Sequence, residues 1–265
     1  MKPLSPETLA FIREHRTKDV HTLALHAKKY PAVDLAEAII QIAGQQIAEK
    51  KIPSWAKLEG IRYPQHLSME QCSSEITARY KASLVEGDSF TDLTGGFGVD
   101  CAFIASRFRQ ADYVERQETL CELAMHNFAL LGLNQIKVHS TDGIAYLQQM
   151  KPVDCLYLDP ARRDNHGGKT IAISDCEPDV SQLESLLLKK GKSVMLKLSP
   201  MLDIALAIQT LKHISQVHIV AVNNECKELI ILLEEQGIKT EYPKKETLIS
   251  CEQIVNNLLT KPFSF

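Results

Sequence analysis

The sequence predicts an α/β protein in two parts: an all-helical domain over residues 1–83, then a seven-stranded, mainly parallel sheet with intervening helices over residues 84–265. Three observations carry this. Apolar residues recur at helical spacing through the first part, with no strand pattern among them. From Ser89 onward short apolar runs alternate with helical stretches, as βαβ units require. Acids and glycines stand at the C-terminal ends of those runs, the edge at which open α/β sheets bind ligands.

Ser5-Pro6-Glu7 supplies an N-cap, a proline at the first helical position and an acid in the first turn. Leu9 and Ile12 follow, then Leu23, Leu25 and Ala27. Ala36, Ile39, Ile40, Ile42, Ala43 and Ile47 form a second apolar stripe, and Pro31 and Pro53 punctuate the helices. A further helix is expected over residues 68–84, opened by the capping-box-like Ser68-Met69-Glu70-Gln71. Strands are expected at residues 89–92, 111–115, 135–139, 155–158, 193–197, 218–222 and 229–233, with helices between the first five. A short join over residues 223–227 makes the last two an antiparallel pair at one edge.

With 265 residues, 45% of them hydrophobic and 24% charged, the chain can bury the core of one α/β domain and a smaller companion. The net charge of −3 demands no polyanionic partner. Residues 1–83 nevertheless carry 12 basic against 9 acidic side chains. That surplus reads equally as contact with something anionic or as a solvated helical surface. Seven cysteines stand singly, without a C-x-x-C pair, so reduced thiols in a cytoplasmic protein are expected and a zinc site is not. No apolar run approaches the ~20 residues of a membrane span, so no membrane partner is expected. Oligomeric state is not readable from the sequence.

The strongest local signal is Thr91-Asp92-Leu93-Thr94-Gly95-Gly96-Phe97-Gly98-Val99-Asp100, at the junction of the first strand and the next helix. Glycines there let backbone pass close to a ligand, and the helix N-terminus supplies free N–H groups. A dinucleotide site would need G-x-G-x-x-G, but Val99-Asp100-Cys101 follows Gly98 and the third glycine is missing. Asp92 stands before the glycines, where a carboxylate would repel a pyrophosphate and suit an ammonium such as that of S-adenosylmethionine. Glu115 closes the second strand, where an acid can accept from both hydroxyls of a ribose or simply face solvent. Asp142-Gly143 follows the third strand, placed either to meet an adenine amino group or to make a turn. Asp159 closes the fourth. Four acids on successive strand ends of one edge are harder to dismiss than one.

On these residues the chain resembles the class I methyltransferases. Asp92 to Gly98 is similar to their first motif, D-x-G-x-G-x-G, with Thr94 where the first glycine usually sits. Glu115, Asp142 and Leu158-Asp159-Pro160-Ala161 fall on the second to fourth motifs. The resemblance implies a Rossmann-like sheet and S-adenosyl-L-methionine held by Asp92, Thr94, Gly95, Gly96, Gly98, Glu115, Asp142, Gly143 and Asp159. His126-Asn127, with Gly132 following, resembles an H-N-x-x-x-x-G segment of RNA and nucleobase N-methyltransferases. More narrowly, residues 67–75, Asp159-Pro160-Ala161-Arg162-Arg163 and Lys197-Leu198-Ser199-Pro200-Met201 resemble bacterial THUMP-like-domain methyltransferases. That likeness implies a C-terminal RNA-binding domain, which a chain ending at Phe265 is expected to lack. A looser likeness, to small-subunit ribosomal RNA guanine-N2 methyltransferases, rests on residues 92–105 and 157–160.

Methyl transfer from a sulfonium depends mainly on alignment. Asp159 and the carbonyl of Pro160 are the expected orienting groups for an attacking amine, with Arg162 beside them as the third catalytic candidate. Amino-methylating enzymes usually carry (Asn/Asp)-Pro-Pro-aromatic, whose aromatic stacks on the base. Here Ala161 and Arg162 occupy those places, and an arginine plane can substitute or bind phosphate. D-P-A-R also occurs in uracil-C5 RNA methyltransferases, but their cysteine nucleophile has no counterpart in Lys197-Leu198-Ser199-Pro200, and Cys155 lies within a strand. Arg163, Lys169 and Lys197 could join Arg162 on the acceptor side. Residues 164–179 read as a lid or as disorder, and His166 within them is a poor base. Tyr80 reads as a cofactor cover or as core, and Trp55 as core. The expected reaction is N-methylation of an amino group on an RNA base, ribosomal or transfer. The alternatives are a small-molecule or protein substrate, or a domain that binds cofactor or RNA without turnover.

Overall fold

The computed structural model describes residues 3–26, 29–162 and 172–235. Six helices come first: α1 (Pro6–His15), α2 (Val20–Leu25), α3 (Leu35–Lys51), α4 (Pro53–Ala56), α5 (His66–Gln71) and α6 (Glu75–Ser83). Then come β1 (Gly87–Asp92), α7 (Val99–Ala105), β2 (Phe108–Glu115), α8 (Glu118–Leu130), β3 (Ile136–Ser140), α9 (Gly143–Gln149) and β4 (Val153–Leu158). A two-residue ladder joins β5 (Ala161–Arg162) to β6 (Cys176–Glu177). The chain continues through α10 (Val180–Lys190), β7 (Gly191–Leu198), α11 (Ile204–Thr210), β8 (Ile214–Val222) and β9 (Glu225–Glu234).

The main sheet has seven strands in the order β3-β2-β1-β4-β7-β9-β8. The first five pair in parallel, and β9 runs antiparallel between β7 and β8, as the sequence pattern predicts. The join of β8 to β9 is tighter than expected. Asn223 and Asn224 alone make the turn, both with positive φ (53° and 60°), the two-residue geometry that matches strand twist.

The central strands are apolar on both sides. In β4 and β7, Cys155, Tyr157 and Met195 enter one core, and Leu156, Leu158, Val194, Leu196 and Leu198 the other. This period-two division is why these strands read as continuous apolar runs rather than alternating ones. The second core is closed by α9, α10 and α11. The first is closed by α7 and α8 together with the later helical segment, through Trp55, Tyr63, Met69 and Tyr80. Only α1 to α3 keep a small cluster apart, around Phe11, Leu23, Ala38 and Ile42. Leu9 and Leu25 of the expected stripe are exposed.

Tertiary contacts override local pattern at two further places. The helix expected over 68–84 is two helices, broken at Cys72–Ser74, and its N-cap is Ser74, not Ser68. Ser73 turns inward to donate to Asp100 (2.7 Å), and the hydroxyl of Ser74 accepts from the amide of Thr77 (3.3 Å), so both serines draw backbone out of the helix. In α3 the most buried line is Ala38, Gln41, Ile42, Gly44 and Ala48, so that of the expected stripe only Ile42 is fully buried. Residues 61–63 lie against it. A Cβ on Gly44 would come within 2.2 Å of Tyr63, and the Gln41 amide pairs with the backbone N–H and C=O of Tyr63, both at 2.9 Å.

Candidate active site

The parallel strands bring their C-terminal ends to one edge, and a cleft of about 1120 Å³ opens there. Asp92, Glu115, Asp142 and Asp159 all line it, with the whole of the 93–98 loop. The register steps the acids along this edge: Asp92 is level with Tyr113 and Tyr157, Glu115 and Asp159 follow two residues further on, and Asp142 stands two residues after Ser140, the partner of Glu115.

Asp92 is almost wholly buried, and its Oδ1 accepts from the Thr94 amide at 2.9 Å. Burial, reinforced by Asp100, Asp159 and Glu115, raises its carboxyl well above the ordinary carboxylate range, against the pull of that amide. Thr94 occupies the place of the expected first glycine for a positive reason: its hydroxyl accepts from the Asp159 amide at 2.7 Å. Tyr113 supports the loop from beneath. Its hydroxyl donates to the Gly96 carbonyl (2.6 Å), and its ring lies where a Cβ on Gly95 would stand, 2.3 Å away. Gly96 is different, since an added Cβ there meets nothing nearer than 3.8 Å. Its amide donates to Glu115 Oε2 (3.0 Å), while Glu115 Oε1 accepts from Gln117 N (2.8 Å). Gly98, with φ of 88°, starts α7.

Asp142 caps α9, its Oδ1 accepting from the amides of Ile144 and Ala145 at 3.0 and 2.9 Å. The turn and the ligand-facing readings are therefore compatible, because one carboxylate oxygen does the capping. Gly143 passes against the β1 loop, where a Cβ would meet the Leu93 carbonyl oxygen at 2.2 Å. Asp159 caps no helix; β5 follows it, containing Ala161 and Arg162. Its Oδ2 pairs with the ammonium of Lys197. Pro160 lines the cleft beside it. The side chain of Arg162, and all of Arg163, His166, Gly167, Gly168 and Lys169, lie outside the described residues.

Several residues at this site escaped the sequence reading. Behind Asp159 and Lys197 is a buried polar chain. Asp100 Oδ2 accepts from Tyr157 (2.6 Å) and Ser73 (2.7 Å), and its Oδ1 lies 3.0 Å from Lys81. Lys81, fully buried in α6, also donates to Ser73 (2.9 Å) and pairs with Glu228 of β9. Burial alone would raise the Asp100 carboxyl, but Lys81, Lys197 and the two hydroxyls hold it below its ordinary value. Cys72 also lines the cleft. Burial pushes its thiol up to about 11, which disfavours the thiolate that C5 chemistry needs. Cys155 is buried in β4, with its thiol raised further by the same cause.

Other candidates are structural. Asn127 is fully buried and pairs with the backbone of Arg62, its Oδ1 accepting at 3.0 Å and its Nδ2 donating at 2.9 Å. His126 Nε2 meets the Gly60 carbonyl oxygen at 2.8 Å. The His-Asn segment therefore fastens the helical segment onto α8. Tyr80 is core, its hydroxyl 2.8 Å from Nδ1 of His218, and Trp55 packs edge-on against Phe97.

A sheet of this order and hand of pairing, with a glycine loop after β1 and acids closing the next strands, is the architecture of the class I S-adenosylmethionine-dependent methyltransferases, and the chain has that fold. Among solved structures it is similar to a protein of Porphyromonas gingivalis W83 assigned as a methyltransferase, at 32% identity and TM-score 0.76 over 90% of this chain. The match spans 60% of that protein's length. It is also similar to a protein of Listeria monocytogenes assigned as a class I S-adenosylmethionine-dependent methyltransferase, over 94% of this chain and 98% of that one, at TM-score 0.54 and 12% identity, a likeness of fold alone. No protein-family model and no curated protein matches the sequence. Among the described residues no helix is long and apolar enough to cross a membrane.

Proposed function

We propose that the chain binds S-adenosylmethionine in the cleft at the β1–β4 edge and methylates an amino group of an RNA base. The observation that carries the cofactor reading is the convergence of four strand-end acids on one cleft beside the open face of Gly96. The residues fit the group. Glu115 has its carboxylate fixed by two backbone amides and can accept from ribose hydroxyls. Asp142 keeps Oδ2 for an adenine amino group while Oδ1 caps α9. Asp92 and the turn over Thr94, Gly95, Gly96 and Gly98 would enclose the amino-acid end. Bound there, the cofactor supplies a methyl group on a positively charged sulfur.

The chain's own part is to hold the acceptor. Asp159 and the carbonyl of Pro160 offer acceptors for the two N–H bonds of an amine, which leaves its lone pair directed forward. Arg162 follows in the sequence and, on this reading, would contact base or phosphate. Where amino-methylating enzymes carry the base-stacking aromatic, this chain has Arg162, and Ala161 replaces the second proline.

Calorimetry with S-adenosylmethionine tests the first step, and mass spectrometry of ribosomal and transfer RNA from a deletion strain tests the second through a single lost methyl mark. Asp159→Ala should keep cofactor affinity and lose turnover. Unchanged turnover would remove Asp159 from the acceptor site, and an RNA pool with every mark intact would redirect the search to small molecules or proteins.

A further inference from the structure

We propose that Lys197 is a positioning residue of this site, bridging Asp159 and Asp100 so that Asp159 is held in place as an ionised carboxylate. The proposal rests on the reading that Asp159 orients the acceptor amine. Protonation would turn one of the two acceptor oxygens of Asp159 into a donor and weaken the other as an acceptor for N–H.

The strand register creates the bridge. Leu158 is paired with Leu196, so the next residues, Asp159 and Lys197, leave β4 and β7 side by side. The Lys197 ammonium pairs with Asp159 Oδ2 and lies 3.8 Å from Asp100 Oδ2. Its side chain is 13% exposed, against 37% for Asp159, so the lysine is enclosed while the carboxylate opens to the cleft. A lysine with long, flexible bonds would normally roam. Here both its anionic partners are fixed: Asp159 through the hydrogen bond its backbone amide donates to the Thr94 hydroxyl, and Asp100 by Tyr157, Ser73 and Lys81.

The charge balance makes Lys197 hard to replace. The groups gathered here from α6, β1, α7, β7 and β9 are Lys81, Asp92, Asp100, Lys197 and Glu228, with Tyr157 of β4 and Cys72 as neutral neighbours. Lys81 is already engaged by Glu228 and Asp100. Burial already raises the Asp159 carboxyl above its ordinary value with Lys197 in place. Without Lys197 the only cation left to offset burial and Asp100 is Lys81, which is shared with Glu228 and Asp100, and an enclosed site of like charges favours the protonated acid.

The test uses the full chain and needs no substrate. Carboxyl ¹³C NMR titration, with the Asp159 signal assigned through D159N, is run on wild type, K197M and K197R. Asp159 should be ionised at pH 7 in wild type, move up by about one pKa unit or more in K197M, and return towards wild type in K197R. The same Asp159 titration in wild type and K197M would overturn the proposal. So would an Asp159 protonated at pH 7 in wild type, a result that decides the matter even if K197M does not fold. With methyl transfer as readout, K197M should shift the acid limb of kcat upward and leave the KM for S-adenosylmethionine unchanged. Failure of wild type to bind S-adenosylmethionine would end the methyltransferase reading without touching the titration result.

Discussion

The hydroxyl of Thr94 accepts a hydrogen bond from the backbone amide of Asp159 at 2.7 Å, joining the ends of the parallel neighbours β1 and β4 at the point where the strand order reverses. A glycine at 94 could not make this bond. The same hydroxyl is 3.4 Å from Asp92 Oδ1, so one side chain relates the cofactor-side acid to the acceptor-side acid. Thr94→Val keeps the shape and strands the Asp159 amide, a loss of about 1–3 kcal/mol for an enclosed N–H. We expect a fall in Tm of several degrees and a drop in turnover of about tenfold, with Thr94→Ser close to wild type in both. Thermal unfolding and a methyl-transfer assay check this, and a Val variant equal to wild type in both would leave the bond without consequence.

Gly143 is where the β1 loop and the start of α9 touch, and the contact leaves no room for a methyl group. A Cβ there would stand 2.2 Å from the Leu93 carbonyl oxygen, which is backbone and cannot rotate aside. Gly143→Ala should therefore push the two loops apart, at a cost of about 1–3 kcal/mol for overpacking. The displaced segment carries Asp142, so affinity for S-adenosylmethionine should fall with Tm. Calorimetry and thermal unfolding of the one variant read both, and an affinity that held while Tm fell would separate Asp142 from the cofactor.

The sheet and the acidic rim were legible because both depend on local pattern. Runs such as Cys155-Leu156-Tyr157-Leu158 are apolar at every position because both faces are covered, and the residue after such a run must sit at the sheet edge. The polar chain of Ser73, Lys81, Asp100, Lys197 and Glu228 was not legible, since its members are far apart in sequence and on different elements. Weak signals existed. Lys81 stands between Tyr80 and Ala82 on a helix otherwise facing the core, and Glu228 directly precedes Leu229-Ile230-Ile231 in a buried strand. A charge set inside an apolar run marks a partner elsewhere. The break between α5 and α6 escaped for the same reason, being fixed by the contact of Ser73 with Asp100 rather than by helix propensity.

At the opposite edge of the sheet Asp154 ties the start of β1 to β4 and β7. Lys192 at 2.6 Å, the hydroxyl and amide of Ser89 and the amide of Asp88 hold its carboxyl down to about 2. A carboxyl depressed in the folded state stabilises the fold at pH values above its unfolded value near 3.8, and that stabilisation disappears as pH falls through about 2. Stability should accordingly decline on acidification between about pH 4 and pH 2. Asp154→Asn should be less stable than wild type at pH 6 and should show a flatter decline below pH 4. Urea unfolding across that range measures both, and parallel curves for the two proteins would show that Asp154 is not the titrating group.

Asp92 should behave in the opposite sense, because its burial and the neighbouring Asp100, Asp159 and Glu115 raise its carboxyl. The folded state then holds the proton more tightly than the unfolded chain, so stability is lost as pH climbs from the unfolded value towards the folded one. Deprotonating Asp92 in the folded protein costs stability, and a cationic ligand beside it would offset that cost. Asp92→Asn retains an oxygen for the Thr94 amide while removing the charge. It should raise Tm at pH 7, with the gain shrinking as pH is lowered towards 4, and it should weaken S-adenosylmethionine binding by about tenfold or more, the order expected when a charge-assisted contact becomes neutral. Asp92→Ala, which also strands the Thr94 amide, should abolish binding. An Asn variant that gains stability and keeps full affinity would make Asp92 a misplaced charge rather than part of the cofactor site.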